Sequence, residues 1–383
     1  MENTMVYQDN FCSNFLNEKT FLDFLTERQQ HASWLRVKSK DISYSSMNAP
    51  LQSFEVEEQE QNDTEQNAIL NDTYNNTKLL LKTEDGTAYP VRSCAIKTIL
   101  DRARISGNAL NKVEKEVFAR ILNYCMEVTK GNALLRIADG KVSAVHGGDP
   151  SEYKVLELQE LFCTTADYLH THYPKSRFIG GFYEHALVTA VWDLSDEREL
   201  LAFYQKALER HGYQHSELKA YVRLTSSDVG ISGANLFPIL SFPHVSRTVP
   251  LGNPLRLEHK AEANMELFTE KLTMIYALYT ESLKGLAHLL DITISSPLNC
   301  MAGVCKKLGI PKKLAMEAID LFKSQHGTGY CTAHDIYYGI CDILFDLQCS
   351  GAPGSKLVQM EESISRAIFI RWQDYDVPGD LKW

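Results

Sequence analysis

The chain has 383 residues, 44% of them hydrophobic and 23% charged. These ordinary values exclude disordered, collagen-like and coiled-coil classes and leave room for two or three domains. The 39 Lys and Arg against 49 Asp and Glu give a formal charge of −10, which argues against wholesale binding of duplex nucleic acid, because that needs a basic field. No apolar run approaches the roughly 20 residues of a membrane span, and residues 1–12 carry acids without the basic start of a secretory signal. The expectation is a cytoplasmic protein without membrane association. Nine dispersed cysteines with no C-x-x-C pair read as reduced thiols, not as a disulfide framework.

In chain order, 1–30 reads as helix, with Phe11, Phe15, Phe21 and Phe24 as its apolar positions, and 34–40 alternates like a strand. The stretch 41–77 carries eight acids and no Lys or Arg, which predicts a flexible acidic linker. Strands at 79–82 and 87–91 flank Glu84-Asp85-Gly86, and strands at 134–137 and 141–145 flank Ala138-Asp139-Gly140, both hairpin signals. Helices are expected at 94–105 and 112–128. Val155, Leu158, Phe162, Ala166, Leu169 and Tyr173 mark one face of a further helix that Pro174 ends. After β-rich sequence at 177–192, Ser195 can cap a helix that Gly212 closes, and strands follow at 219–225 and 231–240. From 258 onward the chain reads as helical. Phe268, Leu272, Ile275, Tyr279, Leu283, Leu286 and Leu290 form a long apolar stripe, a core or partner face. Thr332 and Asp335 resemble a capping box. The expected fold is α+β: an arm at 1–40, the linker at 41–77, a mixed or antiparallel sheet domain with flanking helices at 78–255, and an all-helical domain at 258–373.

Walker, dinucleotide-binding, zincin and nucleophile-elbow motifs are absent from the sequence, and no cofactor is expected. The polar turn after the strand at 219–225 makes Ser227 and Asp228 the catalytic candidates, because functional groups often sit at strand ends. The alternative is a turn that satisfies its own backbone. His326, Cys331 and His334 are the best placed zinc-ligand types, although their spacing fits no finger and capping or core roles compete. Two strands interleave cations with an aromatic residue. Period-2 geometry puts Trp34, Arg36, Lys38 and Lys40 on one face and Lys219, Tyr221 and Arg223 on another. Such rows can track phosphates while a ring stacks on a base; a solvated face or a lysine-guarded edge is the alternative. Arg92, Arg102 and Arg104 add a basic helical segment to the same reading.

Three stretches carry a likeness. They are Leu134-Leu135-Arg136-Ile137 with Lys141-Val142-Ser143-Ala144-Val145 and Tyr153; Tyr221-Val222-Arg223-Leu224-Thr225-Ser226-Ser227-Asp228-Val229-Gly230; and Lys306-Lys307-Leu308-Gly309-Ile310-Pro311 with Thr332-Ala333-His334-Asp335-Ile336-Tyr337. In these, the chain resembles the phage and plasmid proteins grouped as domain of unknown function 932. The family commonly continues with an Arg-Val-Val-Cys-x-Asn-like strand, where this chain reads Leu240-Ser241-Phe242-Pro243-His244-Val245. The resemblance implies a mobile-element setting and no established activity. The leading expectation is therefore a non-enzymatic accessory protein that binds or anneals single-stranded nucleic acid. The alternative is an interaction or inhibitor protein acting on a host component, and a third is a metal-dependent enzyme using Asp228. A homo-oligomer is compatible with each.

Overall fold

The computed structural model describes residues 5–47, 62–107, 109–213, 218–242, 247–381 and 383. Its first part runs β1 (Cys12–Phe15), α1 (Glu18–Gln30), β2 (Ala32–Lys38), β3 (Ser43–Ser46), α2 (Asn62–Asn76), β4 (Leu79–Lys82) and β5 (Ala88–Pro90). It continues through α3 (Ala95–Arg102), α4 (Lys115–Val128), β6 (Asn132–Ala138) and β7 (Lys141–Gly147). Then come α5 (Leu158–His172), β8 (Arg177–Glu184), β9 (Leu187–Asp193), α6 (Arg198–Arg210), β10 (Lys219–Ser226), β11 (Ala234–Phe242), β12 (Arg247–Pro250) and β13 (Leu255–Leu257). The last part holds α7 (Met265–Thr273), α8 (Ile275–His288), β14 (Thr293–Ile294), α9 (Pro297–Lys307), α10 (Lys312–His326), β15 (Cys331–Thr332), α11 (Ala333–Cys349) and α12 (Gly354–Ser365).

The fold is α+β with antiparallel sheets. The largest sheet has the order β1-β8-β9-β10-β11-β12, with β13 also on β11. Two three-stranded sheets, β2-β6-β7 and β3-β4-β5, lie in the N-terminal part, and β14 pairs with β15. Both Gly-containing turns form hairpins as expected. Between β6 and β7, Asp139 and Gly140 have φ of 51° and 72°, the left-handed pair that a two-residue primed turn demands.

Two buried clusters organise these layers. One joins Leu79 and Leu81 of β4, Leu135 of β6 and Val142 and Val145 of β7 to Ile99 of α3 and Phe118 and Leu122 of α4. Leu35 and Val37 of β2 pack onto it, as their alternation predicts. The other cluster joins the large sheet to α1, α5 and the helices after 258. The stripe Phe268, Leu272, Ile275, Tyr279, Leu283, Leu286 and Leu290 is buried in it, and the Tyr279 hydroxyl bonds to backbone atoms of Tyr221 and Ile239.

Several boundaries differ from the expectation. The segment 1–30 is not one helix: Cys12–Phe15 pairs with β8, and Asn17 starts α1 by accepting from the Thr20 N–H. The expected linker holds two ordered pieces, β3 paired with β4 and α2 with Thr73 fully buried; its central part, 48–61, lies outside the described residues. Ser195 does not cap α6. Its hydroxyl bonds to Asp193 and accepts from the Ala220 N–H instead. The helices after 258 share one continuous core with the sheet. Thr332 and Asp335 do form a capping box at the start of α11.

Leu283 is 1% exposed inside the larger cluster. Leu283→Ala is expected to lose about 2–5 kcal/mol by urea denaturation, since deleted methyl groups leave a cavity. A loss below about 0.5 kcal/mol would contradict this packing.

Candidate functional site

A cleft of about 630 Å³ opens where β7, the loop after β10 and the segment after β13 meet; His146, Tyr153, Gly230, Asn235 and His259 are among its lining residues. Its floor is organised by a buried ion pair between Arg136 of β6 and Asp228, in the turn after β10. Burial works against the guanidinium charge, but the Asp228 carboxylate together with Tyr183, Glu157 and Cys94 outweighs it and holds the Arg136 pKa above its ordinary value. The Asp228 backbone oxygen accepts from His146 Nε2 at 3.1 Å and faces the Tyr153 hydroxyl at 3.5 Å. Gly230 (φ 75°) lies so close to His146 that a Cβ there would stand 3.0 Å from the ring, so the turn needs glycine for conformation and for room.

Above this floor the rings are stacked. His146 and Tyr153 lie face to face at 3.7 Å and 3°, and Tyr153 and His259 at 4.9 Å and 10°. Trp34 closes the column beside His146 and Tyr153, and its indole N–H donates to Glu157 Oε1 at 3.0 Å. Burial pushes the His146 pKa down to about 4 and lowers that of His259, so both imidazoles are neutral at pH 7. The three cations of the cleft wall are all neutralised: Arg102 by Glu152 at 3.2 Å, Arg256 by Glu362 at 2.8 Å, and Lys260 by Glu258. With Asp101 also on the wall, the cleft presents hydrogen-bonding groups without a free positive field.

The expected nucleic-acid residues divide sharply. Arg92 is fully buried and reaches the Gln8 backbone oxygen and His185. Arg102 is buried against Ser39, Glu152 and the Lys130 backbone oxygen. Arg223 pairs with Glu361 of α12 and lies over the Phe237 ring, while Tyr221 packs beneath α12 on the small apolar cluster of Leu187, Phe237, Ile239 and Val358. Trp34 is engaged in the ring column. Burial thus takes Arg92 and Arg102 into internal contacts, Arg223 is held by Glu361, and Tyr221 and Trp34 are half-buried. Lys219 is half-buried at the start of β10. Arg36, Lys38, Lys40 and Arg104 are exposed. The strands β2 and β10 belong to different sheets, so the two basic rows do not share one face.

The exposed row on β2 nevertheless adjoins the cleft. Lys38 pairs in register with Asn132, the Ser39 N–H donates to the Gly131 oxygen at 3.1 Å, and Arg102 links Ser39 and Lys130 to the cleft wall. Lys130 is exposed as well, and on α4, which packs against this corner, Tyr124 is 72% exposed.

Neither catalytic candidate faces the cleft. The Ser227 hydroxyl accepts from the Val229 and Ile231 N–H groups at 3.3 Å, the backbone-satisfying turn that was the alternative, and Asp228 is committed to Arg136. The metal candidates do not converge: His326 is exposed and stacks on Phe322, Cys331 lies in β15, and His334 is buried against the Tyr204 hydroxyl at 2.7 Å. Among the described residues, no three metal-ligating side chains gather. Sequence reasoning passed over Arg136, His146, Asn235, Glu157 and His259. An arginine inside the apolar strand Leu134-Leu135-Arg136-Ile137 was a signal of a buried charge needing a partner. No family model, curated protein or solved structure matches the chain.

The neutral imidazoles carry a pH dependence. Unfolded, His146 titrates near 6.5; folded, it resists protonation down to about pH 4. The unfolded chain therefore binds the extra proton between these values, and stability is full above pH 6.5 and lost as pH falls toward 4. The shift is worth about 3 kcal/mol. Urea titrations at pH 7 and pH 4.5 should show this loss, and His146→Phe should flatten the slope; an unchanged slope would contradict the assignment.

Proposed function

We propose that the protein binds single-stranded nucleic acid, with the sugar–phosphate chain on the exposed cations beside the cleft and an unpaired base inside it. The observation that carries this reading is the exposed row Arg36, Lys38 and Lys40 of β2 beside a cleft lined by His146, Tyr153 and His259. An uncharged heterocycle suits such a wall, because its edge can meet the hydrogen-bonding groups that line it. Phosphate would find the exposed side chains of Arg36, Lys38, Lys40 and Lys130 at the adjoining corner, where Asp149 stands beside Gly131. Exposed Tyr124 offers a second ring. The accessory role in a mobile element rests on the family resemblance, and a binding role is what the overall charge of −10 leaves open: local contact with one strand, without the broad basic field of a duplex binder.

Fluorescence anisotropy of a labelled single-stranded oligonucleotide with the full chain tests this. Affinity is expected to fall steeply with salt as counterions are released. Lys38→Glu with Lys40→Glu should weaken binding at least about tenfold and lower the salt slope by about two. No binding at low salt, or binding indifferent to these substitutions, would overturn the proposal.

A further inference from the structure

We infer that the turn between α9 and α10 is a second surface for the sugar–phosphate chain, separate in the fold from the β2 row; this rests on the strand-binding reading above. Lys306 and Lys307 end α9, Lys312 and Lys313 begin α10, and all four are exposed. Only the four-residue turn from Leu308 to Pro311 lies between the helices, so four cations crowd into one corner of a chain whose formal charge is −10. The helices pack in the larger cluster, whereas β2 packs on the smaller one. Folding does not account for all four lysines. The helix dipole favours Lys306 and Lys307 at the end of a helix, but it opposes Lys312 and Lys313 in a first turn. The first turn of α10 carries no acid and its start has no side-chain cap, the groups that ordinarily stabilise such a start. Like charges also repel across the short turn.

These lysines also differ from the internal cations. Lys141 and Arg223 are spent on carboxylates, but Lys306, Lys307 and Lys312 have no ion-pair partner among the described residues. Lys313 has Glu317 at 3.9 Å, with the two side chains 87% and 50% exposed, a pair that a phosphate displaces at little cost. The next acid on α10, Asp320, lies two turns in from Lys312. At the other end of α9, Asp376 binds Ser295 and Ser296, about 15 Å from Lys306 at 1.5 Å per residue. The turn itself is set before a ligand arrives. Gly309 has φ 74°, its N–H donates to the Lys306 oxygen at 3.1 Å, and the Ile310 N–H donates to the Cys305 oxygen at 3.0 Å, a left-handed helix end. Ile310 is buried in the larger cluster, so the backbone beneath the lysines loses little freedom on binding. The partner that fits is a phosphate polymer. A membrane surface fits less well, because insertion wants large apolar side chains beside the cations, and no large apolar residue within 306–313 is exposed.

The experiment measures anisotropy of a labelled single-stranded oligonucleotide with the full chain and two variants. One carries Lys306→Gln, Lys307→Gln, Lys312→Gln and Lys313→Gln. The control carries Lys19→Gln, Lys175→Gln, Lys206→Gln and Lys284→Gln, exposed lysines elsewhere, so the two variants have the same net charge. The turn variant should bind about tenfold more weakly, with a salt slope lower by about two to three, since each lost contact to a single strand removes ~0.7 from it. The control should stay within about twofold of the original chain. No loss in the turn variant, or equal losses in both variants, would overturn the inference and leave the strand-binding reading standing. Phosphatidylserine vesicles that bind the original chain but not the turn variant, with oligonucleotide affinity unaltered, would assign the corner to a membrane surface and overturn it as well. No oligonucleotide binding at low salt would overturn both this inference and the reading on which it rests.

Discussion

The buried ion pair between Arg136 and Asp228 is the contact on which the rest of the site depends. Arg136 comes from a strand of the smaller core and Asp228 from the turn that ends β10 of the larger sheet. Two charges taken out of water cost several kcal/mol each, a loss recovered only with good geometry and further hydrogen bonds. Arg136 finds one such bond at Ser143 Oγ, 3.2 Å away, and lies over the Trp34 ring. The pairing holds the Asp228 backbone oxygen where His146 can donate to it, and that bond aligns the imidazole under Tyr153. The ring column and the course of the cleft wall follow from this one cross-sheet contact, while burial keeps the histidines neutral.

The same device secures the N-terminal segment. Lys141 is completely buried and meets both Asp9 and Asp72, tying residues before β1 and helix α2 to the start of β7. Arg92 binds the Gln8 backbone oxygen and His185, and Asp139 of the β6–β7 turn pairs with Arg28 of α1. Several of the chain's basic residues are thus consumed inside the molecule at the joins between its layers. A surface argument drawn from a count of Lys and Arg cannot see this, and it explains why Arg92 and Arg102 of the basic helical segment are spent on internal partners.

Local signals were legible where local physics decides. The Asp139-Gly140 turn, the alternation that sends Leu35 and Val37 inward, the buried stripe from Phe268 to Leu290 and the Thr332–Asp335 capping box all depend on residues within a few positions of one another. The site was not legible, because its members are brought together by pairings across long sequence separations. Arg136 with Asp228, Trp34 with Glu157, and Arg223 with Glu361 are each separated by dozens of residues or more, and period-2 spacing reports which face a cation shares, not which carboxylate covers it. The segment 62–76 shows the complementary case. Its composition reads as unstructured, yet the Asp72–Lys141 contact and buried Thr73 supply from outside the stabilisation that its own sequence lacks.

The most direct measurement is a double-mutant cycle on the central pair, using Arg136→Met, Asp228→Leu and the combined variant, followed by urea denaturation. Each single change strands a buried charge and should lose about 3–5 kcal/mol. The combined variant should lose less than the sum by more than about 1 kcal/mol, because both charges leave together. Losses that add to within about 0.5 kcal/mol, as for independent sites, would show that Arg136 and Asp228 do not act as one unit and would contradict the dependence of the cleft on them.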